Sequence, residues 1–138
     1  MKPGNHQVYD VLDTVPVRIH GWSMWPWLCP SDRVDVRSKA QPEIGDIVVV
    51  LRENEPPYIH RIVELNDQQF LSRGDNVRND DGWRPREAIA GVVVRLYRLG
   101  LPVPLPHPLL VATLAPIFRV VFVCFVRPLR RFYRSYIK

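Results

Sequence analysis

Gly45-Asp46-Ile47-Val48-Val49-Val50-Leu51-Arg52-Glu53-Asn54-Glu55-Pro56-Pro57-Tyr58-Ile59-His60-Arg61-Ile62-Val63-Glu64-Leu65 is the stretch that decides the fold. Gly45-Asp46 opens a continuous β-branched run of strand length, which predicts a buried strand over Ile47–Leu51. Asn54 to Pro57 predicts a turn. Tyr58 to Leu65 then returns as a second strand, with one histidine set inside its apolar run. Outward from this pair the same signals recur. Val15–Ile19 and Asp32–Arg37 alternate apolar and polar residues, and Ser38–Ile44, with Pro42, reads as a loop. Asn66-Asp67 predicts a hairpin turn into a short strand, Gln68–Ser72. Arg73–Pro85 reads as a long polar turn region. Glu87–Leu99 holds a last strand around Ala90–Val94. Short strands between turn signals predict a mainly β chain, a small antiparallel sheet or barrel-like body.

A chain of 138 residues with 46% apolar content suits one domain with a modest core. Fourteen prolines argue against a helix-rich body. The body is expected over residues 1–99, a proline-rich linker over 100–108 and a separate tail over 109–138. Charge divides at that boundary. Residues 1–108 hold 13 Lys/Arg against 14 Asp/Glu, a net −1, and residues 109–138 hold 6 Lys/Arg and no acid, a net +6. The excess positive charge belongs to the tail, which suits an anionic surface such as membrane headgroups rather than nucleic acid. Two cysteines, Cys29 and Cys124, make no disulfide framework. Met1 to Asp10 is polar, with no signal-peptide core and no membrane anchor expected there.

Three segments carry chemistry: Gly21-Trp22-Ser23-Met24-Trp25-Pro26-Trp27-Leu28, Ile59-His60-Arg61-Ile62-Val63, and Arg73-Gly74-Asp75-Asn76-Val77-Arg78-Asn79-Asp80-Asp81. A serine in a Gly/Pro-framed turn, a strand histidine and an acidic turn are the parts of a nucleophile, a base and an orienting carboxylate. Serine needs an adjacent base, and an imidazole, with an ordinary pKa of about 6.5, can accept its proton near neutrality. His60 can also be a structural strand histidine, and Gly74-Asp75-Asn76 a turn in which aspartate bonds its own backbone. His6, His20 and His107 sit in no motif. No Cys/His cluster has metal-ligand spacing, so no metal or cofactor is expected.

The Gly-x-Ser-Met-x-Pro-x-Leu order resembles the nucleophile box of type I signal peptidases and the related LexA-like serine proteases. The downstream His-Arg-Ile-Val and Gly-Asp-Asn-(x)3-Asp-Asp resemble the Ser/His branch of that superfamily, the archaeal and endoplasmic-reticulum type. The resemblance runs from about Ile19 to about Val94, and everything after Gly100 lies outside it. It implies a β body of the signal peptidase type, with Ser23 as nucleophile and His60 as base at the place where many relatives carry lysine. Lys2, Lys39 and Lys138 are the chain's three lysines, and none falls there. It further implies Asp81 as the orienting carboxylate, with Asp80 its nearest competitor and Asp75 in support. The Ser23 backbone N–H would serve the oxyanion, with Gly21 allowing close approach of substrate. The implied substrate is the signal or leader segment of a precursor polypeptide, cut after small residues. The family usually carries an N-terminal anchor, and the polar Met1 to Asp10 is not expected to supply one. An autoproteolytic LexA-like regulator is a second reading, although the short stretch before the body has no room for a DNA-binding helix-turn-helix. A non-catalytic membrane adaptor that kept the fold is a third.

Trp22, Trp25 and Trp27 place three indoles in six residues. They serve as core packing or as an interfacial apolar lip beside the site, together with Met24, since indoles favour the headgroup region. Strand-like alternation would send Trp25 and Trp27 one way and Trp22 the other. Leu109–Val126 is nearly all apolar, interrupted by Pro116 and Arg119, and is close to the length that crosses a bilayer core. From Arg127 onward, basic residues recur every three or four positions, as on a basic amphipathic helix. The tail therefore predicts association with a membrane. Spanning, dipping and packing against the body all remain open at this level, as does the side of the membrane.

Overall fold

A computed structural model describes residues 13–38 and 40–136. The polar N-terminal segment Met1–Asp10 and all three lysines lie outside the described residues. The body is mainly β, built from β1 (Thr14–Arg18), β2 (Arg33–Arg37), β3 (Ile47–Arg52), β4 (Glu55–Leu65), β5 (Gln69–Arg73), β6 (Trp83–Pro85), β7 (Ile89–Arg98) and β8 (Leu101–Val103). They form one antiparallel sheet in the order β1-β2-β7-β3-β4-β5-β6, with β8 on β7.

The β3 run explains the sheet's depth. Val48 and Val50 enter one apolar cluster with Ile62, Phe70 and Val92. Ile47 and Val49 enter another with Met24, Leu28, Val34 and Leu96. Side chains alternate faces along a strand, so Ile47–Val50 are all apolar because both faces of β3 are covered there. β4 pairs with β3 in a register that sets His60 opposite Val48 and Arg61 opposite Ile47.

Three expectations change in detail. The turn ends at Asn54, not Pro57. Asn54 takes a positive φ of 57°, and β4 already includes Pro56 and Pro57, whose carbonyl at Pro56 accepts from the Arg52 guanidinium. The polar region before Pro85 ends in a short edge strand, β6, against β5. The proline-rich stretch is not wholly a linker. Leu99 and Gly100 both take positive φ, and β8 folds back so that Leu101 faces Arg98. An edge strand accepts Pro102 because its missing N–H can face outward.

The tail is one helical segment. Helix α1 (Pro108–Val121) runs through a π-helical turn at Phe122–Val126 into helix α2 (Arg127–Tyr136). The His107 ring accepts from the Leu109 N–H and caps its start. Pro116 sits inside α1 without ending it. The apolar stretch within Pro108–Arg134 is long enough to cross a membrane.

Candidate active site

Ser23, His60 and Asp81 converge from three separate elements. Ser23 lies in a compact turn between β1 and β2. There Trp25 N–H donates to the Trp22 carbonyl, and Trp27 and Leu28 N–H groups both donate to the Met24 carbonyl. Leu28 and Met24 are buried beneath this turn, which fixes it to the core. His60 stands on β4, nine-tenths buried, with the Tyr58 ring 4.8 Å away centroid to centroid. Asp81 follows the loop after β5, and its N–H donates to the Ser72 carbonyl at 2.9 Å.

The distances form a continuous relay. Ser23 Oγ lies 3.0 Å from His60 Nε2, and His60 Nδ1 lies 2.7 Å from Asp81 Oδ2. An ionised carboxylate only accepts, so Nδ1 must carry the proton and Nε2 is left with its lone pair toward the serine hydroxyl. Ser72 Oγ donates to the same Asp81 oxygen at 2.6 Å. Burial raises the Tyr58 hydroxyl above its ordinary pKa, and the Asp81 charge adds to the rise, so it stays protonated beside the relay.

The other two aspartates are placed elsewhere. Asp80 is exposed and accepts from the Gly82 N–H at 3.1 Å, a local turn bond. Asp75 is buried against Arg61, with Nε and Nη2 each donating at 2.9 Å to its two oxygens. Arg61 Nη1 also donates to the Gly45 carbonyl at 2.7 Å. Asp75 thus ties the acidic loop to β4 and the Gly45 turn without touching His60. The next residue in that loop holds the turn that carries Ser23. Asn76 N–H donates to the Ser23 carbonyl at 2.7 Å, and its side-chain amide to the Trp22 carbonyl at 3.1 Å. Gly74 allows this approach. A Cβ there would sit 2.7 Å from the Ser23 carbonyl oxygen and 3.0 Å from His60 Nε2.

Gly21 takes a φ of +85°, open to glycine, and lines a groove of about 510 Å³ with Ser23, β1 and the first half of β4. Met24 lies under the turn rather than on an outer lip, and its sulfur accepts from the Asp75 N–H at 3.4 Å. The three indoles do not alternate, because residues 23–28 form helical-type turns rather than a strand. All three meet the tail: Trp22 and Trp25 contact Phe122, and Trp25 and Trp27 contact Phe118, with centroids 5.4–5.9 Å apart.

Arg61 and Asn76 fall inside the motifs without a role assigned to them there, and Ser72 and Tyr58 lie outside all three segments. The one available hint is Ser72, a polar residue closing the apolar pair Phe70-Leu71 at a strand end. Both cysteines are free, and the described residues hold no group of three or more His, Cys, Asp or Glu side chains suited to a metal ion. No protein-family model matches the chain, and a search of the curated proteins finds no match.

Proposed function

We propose that this chain is a membrane-associated serine endopeptidase of the signal peptidase kind, which removes a signal or leader segment from a precursor polypeptide. The observation that carries the reading is the unbroken relay from Ser23 Oγ through both His60 nitrogens to Asp81. A non-catalytic adaptor has no need of that alignment. In the proposed reaction Ser23 Oγ attacks the scissile carbonyl while His60 Nε2 takes its proton. Asp81 holds the imidazole in the required tautomer and offsets the imidazolium charge as it forms. The Ser23 backbone N–H meets the oxyanion. His60 returns the proton to the leaving amine, and water admitted by the same base releases the acyl group.

The groove beside Ser23 supports a polypeptide substrate. β1 is an edge strand of the sheet, and the groove runs along it past Gly21 to Ser23. An extended peptide can add its backbone to such an edge and bring one carbonyl to the nucleophile. The apolar helical segment, of a length that could cross a membrane, supports attachment to the surface from which such precursors emerge. The test is cleavage of a leader-bearing precursor by the full chain, followed by mass. The wild type should release the leader, and Ser23→Ala should release none while retaining its fold by circular dichroism. Equal cleavage by the two would end the protease reading.

A further inference from the structure

The helical segment does not project from the body but lies along it. Pro108 packs at the Gly45 turn, and Val111 and Ala115 are buried. Phe118 and Phe122 meet the indoles, and the Arg130 guanidinium sits 5.0 Å over Trp22. Contact therefore runs from residue 108 to residue 130, which at about 1.5 Å per residue is roughly 33 Å. That is about the thickness of a bilayer core. A helix docked along its length on a charged β body cannot cross hydrocarbon without taking that body with it. The docked helix instead suits the membrane plane, with Ile117, Val120, Phe125, Leu129 and Phe132 exposed on it.

Beside this helix, and facing the acidic loop, lies a cavity of about 660 Å³. Arg78 from the loop and Arg119 and Arg127 from the helix line it, over apolar walls that include Val120 and Val123. Among the described residues, no acidic side chain lines it. Arg119 Nε is buried without a hydrogen-bond partner. A buried donor left unpaired is costly, and guanidinium groups match phosphate oxygens in geometry as well as charge. Apolar walls beneath three cations suit an amphiphile better than a small hydrated anion.

We propose that this cavity receives the phosphate head of an anionic phospholipid while the helix lies flat in the membrane surface. The proposal rests on the membrane association above and not on the protease chemistry. It also links the two. Asn76 lines the same cavity and holds the Ser23 and Trp22 carbonyls, so an occupied cavity steadies the turn that carries the nucleophile.

The test uses the full chain and short-chain lipids below their micelle concentration, where no surface potential exists. Dihexanoyl phosphatidylglycerol should bind, read by indole fluorescence. Arg119→Gln with Arg127→Gln should weaken it at least about tenfold, as loss of charge-assisted bonds requires. Arg131→Gln with Arg134→Gln, an equal loss of charge outside the cavity, should leave it within about twofold. Unchanged binding in the cavity variant overturns the proposal, and inorganic phosphate binding as tightly as the lipid makes it a simple anion site instead. On phosphatidylglycerol-containing vesicles, cysteines placed by Leu109→Cys and Arg134→Cys, with Cys29 and Cys124 replaced by serine, should both react with an impermeant maleimide added outside. Protection of one end means a span and overturns the flat orientation. Absence of any vesicle binding by the wild type would remove the membrane reading itself. Vesicle binding without headgroup preference would remove only the cavity.

Discussion

His60 and Arg61 are neighbours on one strand, and each pairs with an aspartate of one loop, yet the two pairs do opposite things. His60 meets Asp81 through one nitrogen and offers the other to Ser23 at the groove. Arg61 gives two nitrogens to Asp75 and a third to the Gly45 carbonyl, and is fully enclosed. An imidazole can lose and regain a proton, whereas a guanidinium cannot. The same strand and loop thus build the relay proposed for catalysis and, one residue away, a fixed ionic clamp that holds its backbone. Which aspartate serves which role follows from the partner's chemistry, not from order along the loop.

The comparison breaks first at the relay. In the proposed mechanism serine and histidine act as one unit, so His60→Ala should lose about as much as Ser23→Ala, on the order of 10⁶ in kcat, and the double variant little more. For wild type, kcat/KM should be lost in acid, because an imidazolium cannot take the serine proton. Activity rising only at strongly alkaline pH would point to one of the three lysines instead. Asp81→Asn keeps the shape but lets the amide donate to Nδ1, which reverses the tautomer. A loss of about 10⁴ in kcat with little change in folding is expected. A comparable kinetic loss in Asp80→Asn would reassign the role.

The clamp should fail differently. Asp75→Asn leaves the buried Arg61 charge uncompensated, at a cost of about 3–5 kcal/mol read by urea unfolding. Replacing both partners, Arg61→Met with Asp75→Leu, should recover most of that stability, because no lone charge remains. Activity in the double variant reports how far the clamp's geometry, rather than its energy, places Asn76 under Ser23. If Asp75→Asn unfolds no more easily than wild type but loses activity like Asp81→Asn, the division between relay and clamp collapses.

The strands were legible because their signals are local. The β3 run, the Asp32–Arg37 alternation and the Asn66-Asp67 turn each follow from residues a few places apart. The failures are equally physical. Pro56 and Pro57 belong to β4 because they sit at the register shift between the Val50–Tyr58 and Arg52–Glu55 pairs, where the loss of a proline N–H is tolerated. Leu101–Val103 joins the sheet because two positive-φ residues reverse the chain, a conformation that Leu99 does not advertise. Ser23 and His60 could be named from motifs, but the choice among Asp75, Asp80 and Asp81 needed distances. All three lie within seven positions of one polar loop, and only its path decides which carboxylate reaches the imidazole. The tryptophans do not follow a period of two, because the chain turns there with a helical period.

The smallest expected effect tests how finely the relay is tuned. Ser72 is fully buried, and its hydroxyl donates to the same Asp81 oxygen that accepts from His60. Two donors on one oxygen leave the carboxylate little freedom to rotate away from Nδ1. Ser72→Ala removes one hydrogen bond to a charged group, about 1.5–3 kcal/mol, part of which falls on folding and part on the transition state. A drop in kcat/KM of roughly tenfold, carried in kcat rather than KM, is expected if about half is felt by the relay. Ser72→Thr restores the hydroxyl and should regain most of the rate, provided the added methyl fits. Packing alone predicts another pattern, in which Ser72→Ala and Ser72→Thr lose stability and neither changes kcat. That outcome would return Ser72 to the core and leave Asp81 oriented by its backbone alone.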